Sequence, residues 1–314
     1  MMKYQEIIGS LPKKEIWNGG SYIYEYEGFW FCSPFLEGTI SVQESFQAQP
    51  GDIVLCSAMK TGTTWLKALA FAIVTRNRFD VLSSSDNNNN HPLFNAVPHD
   101  CIPFLEVDLV ENNKKDPEMP LLSTHLPFSS LPKCIISKDC KMVYICRDPK
   151  DTFVSYWHFV QRALQGGQLD QVVKQLSLEK EFEMFCDGSS IYGPYWDHVL
   201  GYWKASIERP DSVLFLKYED LKRDTLFYVR KLGEFMGQPF TAERIVEMCS
   251  LQKLSGLEVN KSGKHRQGTP LSVNNHSFFR RGVVGDWKNL LTPQMQRRMD
   301  EITEQKLHGS GFSF

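Results

Sequence analysis

Two kinds of hydrophobic run alternate along this chain. Short, continuous apolar stretches are bounded by Gly, Pro, Asp or Ser, and longer stretches repeat their apolar positions every three to four residues. The first kind predicts fully buried strands at Asp52–Ser57, Met119–Thr124, Lys141–Cys146 and Ser212–Tyr218. The second predicts helices from Thr63 to Thr75, from Pro149 through Val160, over Tyr195–Glu208, across 225–236 and over Pro293–Lys306. Pro149 suits a first helical turn, and Trp196, Val199, Leu200 and Trp203 form one stripe. Gly166-Gly167 ends the helix before it. Strands alternating with helices imply an α/β fold with a central parallel sheet flanked by helices. No internal repeat or Pro-rich linker divides residues 1–314, which read as a single domain.

Residues 1–50 are aromatic-rich and otherwise irregular, except that Tyr22, Tyr24 and Tyr26 alternate as in a short strand. They fit either a layer packed on the core or one wall of an aromatic pocket. Residues 83–90, Ser-Ser-Ser-Asp-Asn-Asn-Asn-Asn, form a polar loop without a core position. Residues 255–290 carry basic and Gly-bearing runs, Lys261–Gly268 and Ser277–Trp287, that fit a segment covering a bound anion or a solvated basic loop.

Composition narrows the class. With 35 Lys+Arg against 37 Asp+Glu the net charge is -2, so nothing argues for a nucleic-acid partner or an acidic membrane surface. The N-terminal residues lack the apolar core of a leader, and no run approaches membrane-spanning length. The eight cysteines include no close CxxC pair and read as reduced thiols of a cytoplasmic protein. No His, Cys or carboxylate spacing suggests a metal.

The chemistry gathers at strand ends. Lys60-Thr-Gly-Thr-Thr-Trp65 lies between the first strong strand and an apolar helix. A tight loop there brings a cation, hydroxyls and the unpaired N–H groups of a helix start to one point, which suits a phosphate or sulfate. The usual nucleotide-triphosphate loop places its lysine after the last glycine; here Lys60 precedes Gly62. His125, Arg147 and Tyr218 also end or follow apolar strands, where ligands of open parallel sheets bind. An imidazole at such a place can take a proton from an attacking hydroxyl. Arg147 and Ser155 can converge on a second phosphate, with Arg280 closing from the late basic segment. Alternatively, Arg147 forms an ordinary pair with Asp148 or Asp151.

Over nearly its whole length, from Gly28-Phe-Trp30 to the last helix, the chain resembles the cytosolic sulfotransferases. Within them it is most similar to the plant branch and its flavonol sulfotransferases. The resemblance implies transfer of a sulfuryl group from 3'-phosphoadenosine 5'-phosphosulfate (PAPS) to a hydroxyl or amine, here a hydroxyl, with 3'-phosphoadenosine 5'-phosphate (PAP) as product and no metal. Lys60, Thr61, Gly62, Thr63 and Thr64 then correspond to the 5'-phosphosulfate loop. By the same resemblance Trp65 and Tyr218 face adenine, while Arg147, Ser155, Arg280, Arg281 and Gly282 hold the 3'-phosphate. Ser123-Thr-His125-Leu-Pro resembles the segment bearing the catalytic base, His125, with Lys60 assisting the leaving group.

Departures from the family pattern are informative. Met59 stands where the loop usually has proline, and Ser123 replaces a lysine common in animal members. Pro293 and Arg297 interrupt the animal dimerisation pattern, which favours a monomer or weak dimer. The acceptor pocket is expected from Trp30, Phe31, the 91–105 loop, Tyr156, Trp157, His158 and Tyr192. Its aromatic character suits a small flat phenol such as a flavonol. Steroids, brassinosteroids, hydroxyjasmonates and desulfoglucosinolates stay open as acceptors. So do two other classes of protein, an ATP-dependent small-molecule kinase and a non-catalytic phosphonucleotide-binding protein.

Overall fold

The computed structural model describes residues 4–17, 20–79, 90–110, 115, 116, 118–138, 140–163, 176–239 and 242–314. Apart from Asn90, the polar loop expected over 83–90 lies outside the described residues, as does the Gly166-Gly167 helix break.

Residues 1–50 are more regular than their composition implies. Strands β1 (Lys13–Trp17), β2 (Ser21–Tyr26) and β3 (Phe29–Cys32) form an antiparallel sheet, with Ile23 opposite both Lys14 and Cys32. A helix over Ser33–Ser45 follows, starting at Ser33-Pro34, where a proline costs no hydrogen bond. Periodicity missed this helix because its apolar positions are interrupted by Gly38, Thr39 and Ser41. Contact decides instead: a Cβ on Gly38 would lie 1.8 Å from the backbone oxygen of Glu106, so only glycine permits that approach.

The central sheet is built from β4 (Ile53–Ser57), β5 (Leu121–Thr124), β6 (Lys141–Cys146) and β7 (Val213–Lys217), in the order β5-β4-β6-β7, all parallel. Alternate residues feed two cores. Val54, Cys56, Met142 and Tyr144 pack one face with Trp196, Val199 and Tyr202 of the Tyr195–Glu208 helix. Ile53, Leu55, Val143 and Ile145 pack the other with Leu66, Leu69 and Ile73 of the Thr63–Thr75 helix. Burial on both faces explains why these strands read as continuous apolar runs. The chain leaves β4 for β5 on one side and reaches β6 on the other, so a crevice opens over the carboxyl end of β4. In-register pairing brings Cys56 beside Thr124, and Ser57 beside Ile145. The residues following four strands therefore meet at one edge.

Candidate active site

A cavity of about 260 Å³ occupies that edge. Its floor is the loop after β4. Lys60 holds a left-handed backbone (φ 68°) and Gly62 another (φ 118°), and the Thr63–Thr75 helix starts with no side-chain cap. Its first N–H groups are left for a ligand, and the helix dipole favours an anion there.

Not every hydroxyl of the loop faces the cavity. Thr61 is buried and its hydroxyl lies 2.9 Å from the carbonyls of both Ala58 and Ile145. It ties the loop to β6 and is absent from the cavity lining. Thr63 and Thr64 do line the cavity, 2.7 Å from the Ser57 hydroxyl and 2.9 Å from His99 Nε2 respectively.

Lys60 has no carboxylate within ion-pair distance among the described residues. Its ammonium lies 4.0 Å from the centre of the Phe159 ring and 5.9 Å from that of Phe278. Burial, reinforced by Arg147, Arg280 and Arg162, pulls its pKa down to about 7. An anion beside it would reverse that shift.

The two arginines at the far end are held on one side only. Arg147 meets Asp151 at 3.5 Å and donates to the carbonyl of Val283 at 2.8 Å, so the Asp151 pairing weighed from sequence does occur. Arg280 pairs with Asp286. Yet the Nε atoms of both guanidinium groups are buried without a partner. Buried donors of that kind cost free energy unless an acceptor reaches them, and a phosphate at this end fits both. Arg281 points elsewhere. Its side chain is 60% exposed and bonded to Asp286 at 2.7 Å, outside the lining. Ser155 and Gly282 complete this wall.

Tyr218 is not a strand residue but the first residue of the Tyr218–Arg223 helix. Its ring packs edge-on to Trp65 at 5.8 Å and under the Arg147 guanidinium at 4.5 Å. The two rings stand at 70° to each other, and each offers an aromatic surface against which a purine can pack.

His125 is oriented by backbone contacts. Its Nδ1 donates to the carbonyl of Ser57 at 2.7 Å, which fixes the proton on Nδ1 and leaves the Nε2 lone pair free. Burial holds its pKa down at about 3, against the opposing effect of the Ser57 carbonyl. The ring packs between Phe104 (4.7 Å) and Tyr192 (5.4 Å). The backbone of His125 is held by Glu106, which pattern reading missed. This fully buried carboxylate accepts from the His125 backbone N–H (2.8 Å), the Thr124 hydroxyl (2.8 Å) and the Tyr192 hydroxyl (3.1 Å). The signal available in sequence was an acid inside the apolar run Ile102–Val107. His99, within the 91–105 loop expected at the acceptor pocket, lines the cavity and packs 4.2 Å from Phe278.

The aromatic residues named for the acceptor divide. His158 lines the main cavity, while Tyr156 and Tyr192 line a small pocket beside it that shares Met59. Phe31 and Trp157 are buried, and Trp30 packs against Ile16, Ile23 and Met184. Segment 255–290 reaches the cavity through Ser277–Gly282. It is fastened by Asp151, which accepts from the N–H groups of Gly285 (2.7 Å) and Trp287 (3.0 Å). Among the described residues no helix is long and apolar enough to cross a membrane, and no His, Cys, Asp and Glu cluster has metal-ligand geometry.

Comparison with known proteins places the chain. Residues 50–311 match the sulfotransferase domain family, and the chain belongs to that family. A flavonol sulfotransferase-like protein of Flaveria bidentis is 46% identical over 98% of both chains. The solved structure of a putative steroid sulphotransferase from Arabidopsis thaliana superposes with a TM-score of 0.76, at 36% identity, covering 99% of this chain and 95% of that one. Mouse sulfotransferase SULT7A1, solved with PAP bound, gives a TM-score of 0.69 at 26% identity, covering 92% and 95%.

Proposed function

We propose that this protein transfers the sulfuryl group of PAPS to a hydroxyl of a small aromatic acceptor of flavonol type, giving a sulfate ester and PAP. The observation that carries the reading is the cavity itself. One end offers the two unpartnered arginine Nε atoms, the middle offers an ammonium with no carboxylate partner, and a tautomer-fixed imidazole stands beside them. Arg147, Ser155, Arg280 and Gly282 hold the 3'-phosphate, and Trp65 and Tyr218 flank adenine. Lys60 and the N–H groups at the start of the Thr63–Thr75 helix hold the 5'-phosphosulfate. The Thr61 side chain braces that loop, and Arg281 acts by fixing Asp286.

The acceptor oxygen attacks sulfur in line as the bond from sulfur to the bridging phosphate oxygen breaks. The hydroxyl proton passes to His125 Nε2, and the electron pair of the broken bond stays on the phosphate, where Lys60 and the helix-end donors stabilise it. A base whose free pKa is about 3 does not ionise a resting alcohol. It accepts the proton as the new bond to sulfur makes that hydroxyl acidic. Phe104 and Tyr192 pack on the imidazole and hold its ring in place, while Phe159 and Phe278 of the cavity lining favour a flat ring as acceptor. The flavonol reading also draws on the Flaveria relative.

A panel of flavonols, steroids and aliphatic alcohols incubated with radiolabelled PAPS tests the proposal. Label should appear in a flavonol sulfate. Label only in a non-phenolic product would remove the flavonol reading, and PAP binding without transfer to any hydroxyl would favour a non-catalytic nucleotide binder.

A further inference from the structure

Two cations of the cavity lining stand outside the nucleotide reading, Lys222, whose ammonium lies 5.6 Å from the Trp65 ring at the adenine end, and Arg162. Arg162 lines the cavity together with His158 and Phe159. No carboxylate pairs with Arg162 among the described residues, and the lining contains no Asp or Glu at all. Its place follows from the Pro149–Ala163 helix acting as a ruler. Ser155, His158, Phe159 and Arg162 follow one another at helical spacing and share the face toward the cavity. Arg147, just before this helix, and Ser155 mark the 3'-phosphate end. Phe159, one turn on, carries the Lys60 ammonium on its ring and so marks the position of the phosphosulfate. Arg162 lies about 4.5 Å further along the axis, at 1.5 Å per residue, beyond the point of transfer.

A guanidinium there, facing a cavity without acids, is built to meet an oxyanion. The nucleotide reading assigns Lys60, Arg147 and Arg280 to the two phosphate ends and leaves Arg162 without a role. Building on the transfer reading above, we infer that Arg162 is a specificity-determining residue: the acceptor is an aromatic alcohol that already carries an anionic group, a carboxylate or a sulfate ester, held by Arg162. The two sources share one chemistry, a planar or tetrahedral oxyanion with two oxygens turned to the guanidinium fork. A cationic amine is correspondingly excluded.

The test compares matched acceptors, a hydroxylated aromatic acid against its methyl ester and a flavonol monosulfate against the parent flavonol. Wild type and Arg162→Gln are assayed with PAPS, and binding of each compound to the PAP-loaded protein is measured by calorimetry. The wild type should prefer the anionic member of at least one pair by about tenfold in kcat/KM and in affinity, and Arg162→Gln should abolish that preference. Whichever pair responds identifies carboxylate or sulfate as the source. Equal use of both members by the wild type overturns the inference and leaves sulfuryl transfer standing. So does a loss of PAP affinity in Arg162→Gln, which would assign the residue to the nucleotide. If no compound is turned over, preferential binding of an anionic compound that Arg162→Gln removes still supports the subsite, while the transfer reading falls. Absence of that preference in binding overturns the subsite.

Discussion

His125 Nδ1 donates to the backbone carbonyl of Ser57 at 2.7 Å, joining the end of β5 to the last residue of β4. A carbonyl can only accept, so the contact settles the tautomer: Nδ1 carries the proton and Nε2 carries the lone pair. Because the acceptor is backbone, this orientation depends on strand register rather than on any second side chain.

On the proposed roles, replacing His125 by Ala should remove the proton acceptor while sparing the Lys60–Trp65 loop assigned to the nucleotide. Turnover should fall by roughly 10²- to 10⁴-fold. Calorimetry should give an unchanged PAP affinity. Retained turnover would sink the assignment of His125 as base.

Nucleotide affinity should depend on pH through Lys60. In the free protein its pKa lies near 7, lowered first by burial and then by Arg147, Arg280 and Arg162. A bound phosphate favours the ammonium and raises that pKa, so binding takes up a proton above pH 7. Phosphate monoesters are already dianionic there, their second pKa being about 6. The Kd for PAP should accordingly rise as pH climbs from 7 to 9, by up to about tenfold per unit. Lys60→Met should bind more weakly with the slope gone. A flat wild-type profile would place the ammonium away from the phosphate.

Glu106 should matter for stability as well as for the site. Glu106→Ala leaves the donors of Thr124, His125 and Tyr192 without their acceptor in a buried position, at a cost of about 3 kcal/mol. Glu106→Gln, which keeps one acceptor oxygen, should lose less. Burial raises the Glu106 pKa above its ordinary 4.5, opposed by its hydrogen bonds. The unfolded carboxyl ionises first, so stability contributed by the retained proton is present below that value and is lost as pH rises toward the folded pKa. Chemical denaturation across that window should show this slope in wild type and not in Glu106→Gln.

Gly62 is the position where a single methyl should do most damage to the loop. At φ 118° an added Cβ would meet Tyr218 Cδ2 at 2.9 Å and Ile145 Cδ1 at 3.1 Å. Gly62→Ala should cost about 1–3 kcal/mol in backbone strain and displace the Tyr218 ring. Thermal melts and PAP titration should both register it; an unchanged PAP affinity would mean that the ring does not flank adenine.

Much of the molecule was legible in sequence. The central strands were readable because burial on both faces leaves them continuously apolar. The Tyr195–Glu208 helix was readable because its periodicity matches its contacts, and the Thr63–Thr75 helix because its apolar run is too long for a buried strand. The Lys60–Trp65 loop, His125, Arg147 and Tyr218 could be placed at strand ends because an apolar run stops abruptly at each. The Ser33–Ser45 helix was not readable: its buried face includes Gly38, Thr39 and Ser41, which carry no hydrophobic signal. Which hydroxyl of the loop faces inward was also hidden, since Thr61 and Thr63 are the same residue type and only their neighbours separate them.

Tertiary structure alone decided how charges pair and where protons sit. Sequence supplied Arg147, Asp151, Arg280 and Asp286, but not that two Nε atoms remain free while Arg147 Nη2 and Arg280 Nη1 are bound. It supplied Glu106 and His125 nineteen positions apart, but not the carboxylate that accepts the His125 backbone N–H. Local propensity and hydrophobic period depend on neighbours a few residues away, so a linear reading captures them. Hydrogen-bond direction, burial and pKa depend on atoms brought together across a whole sheet, and only the folded chain specifies those.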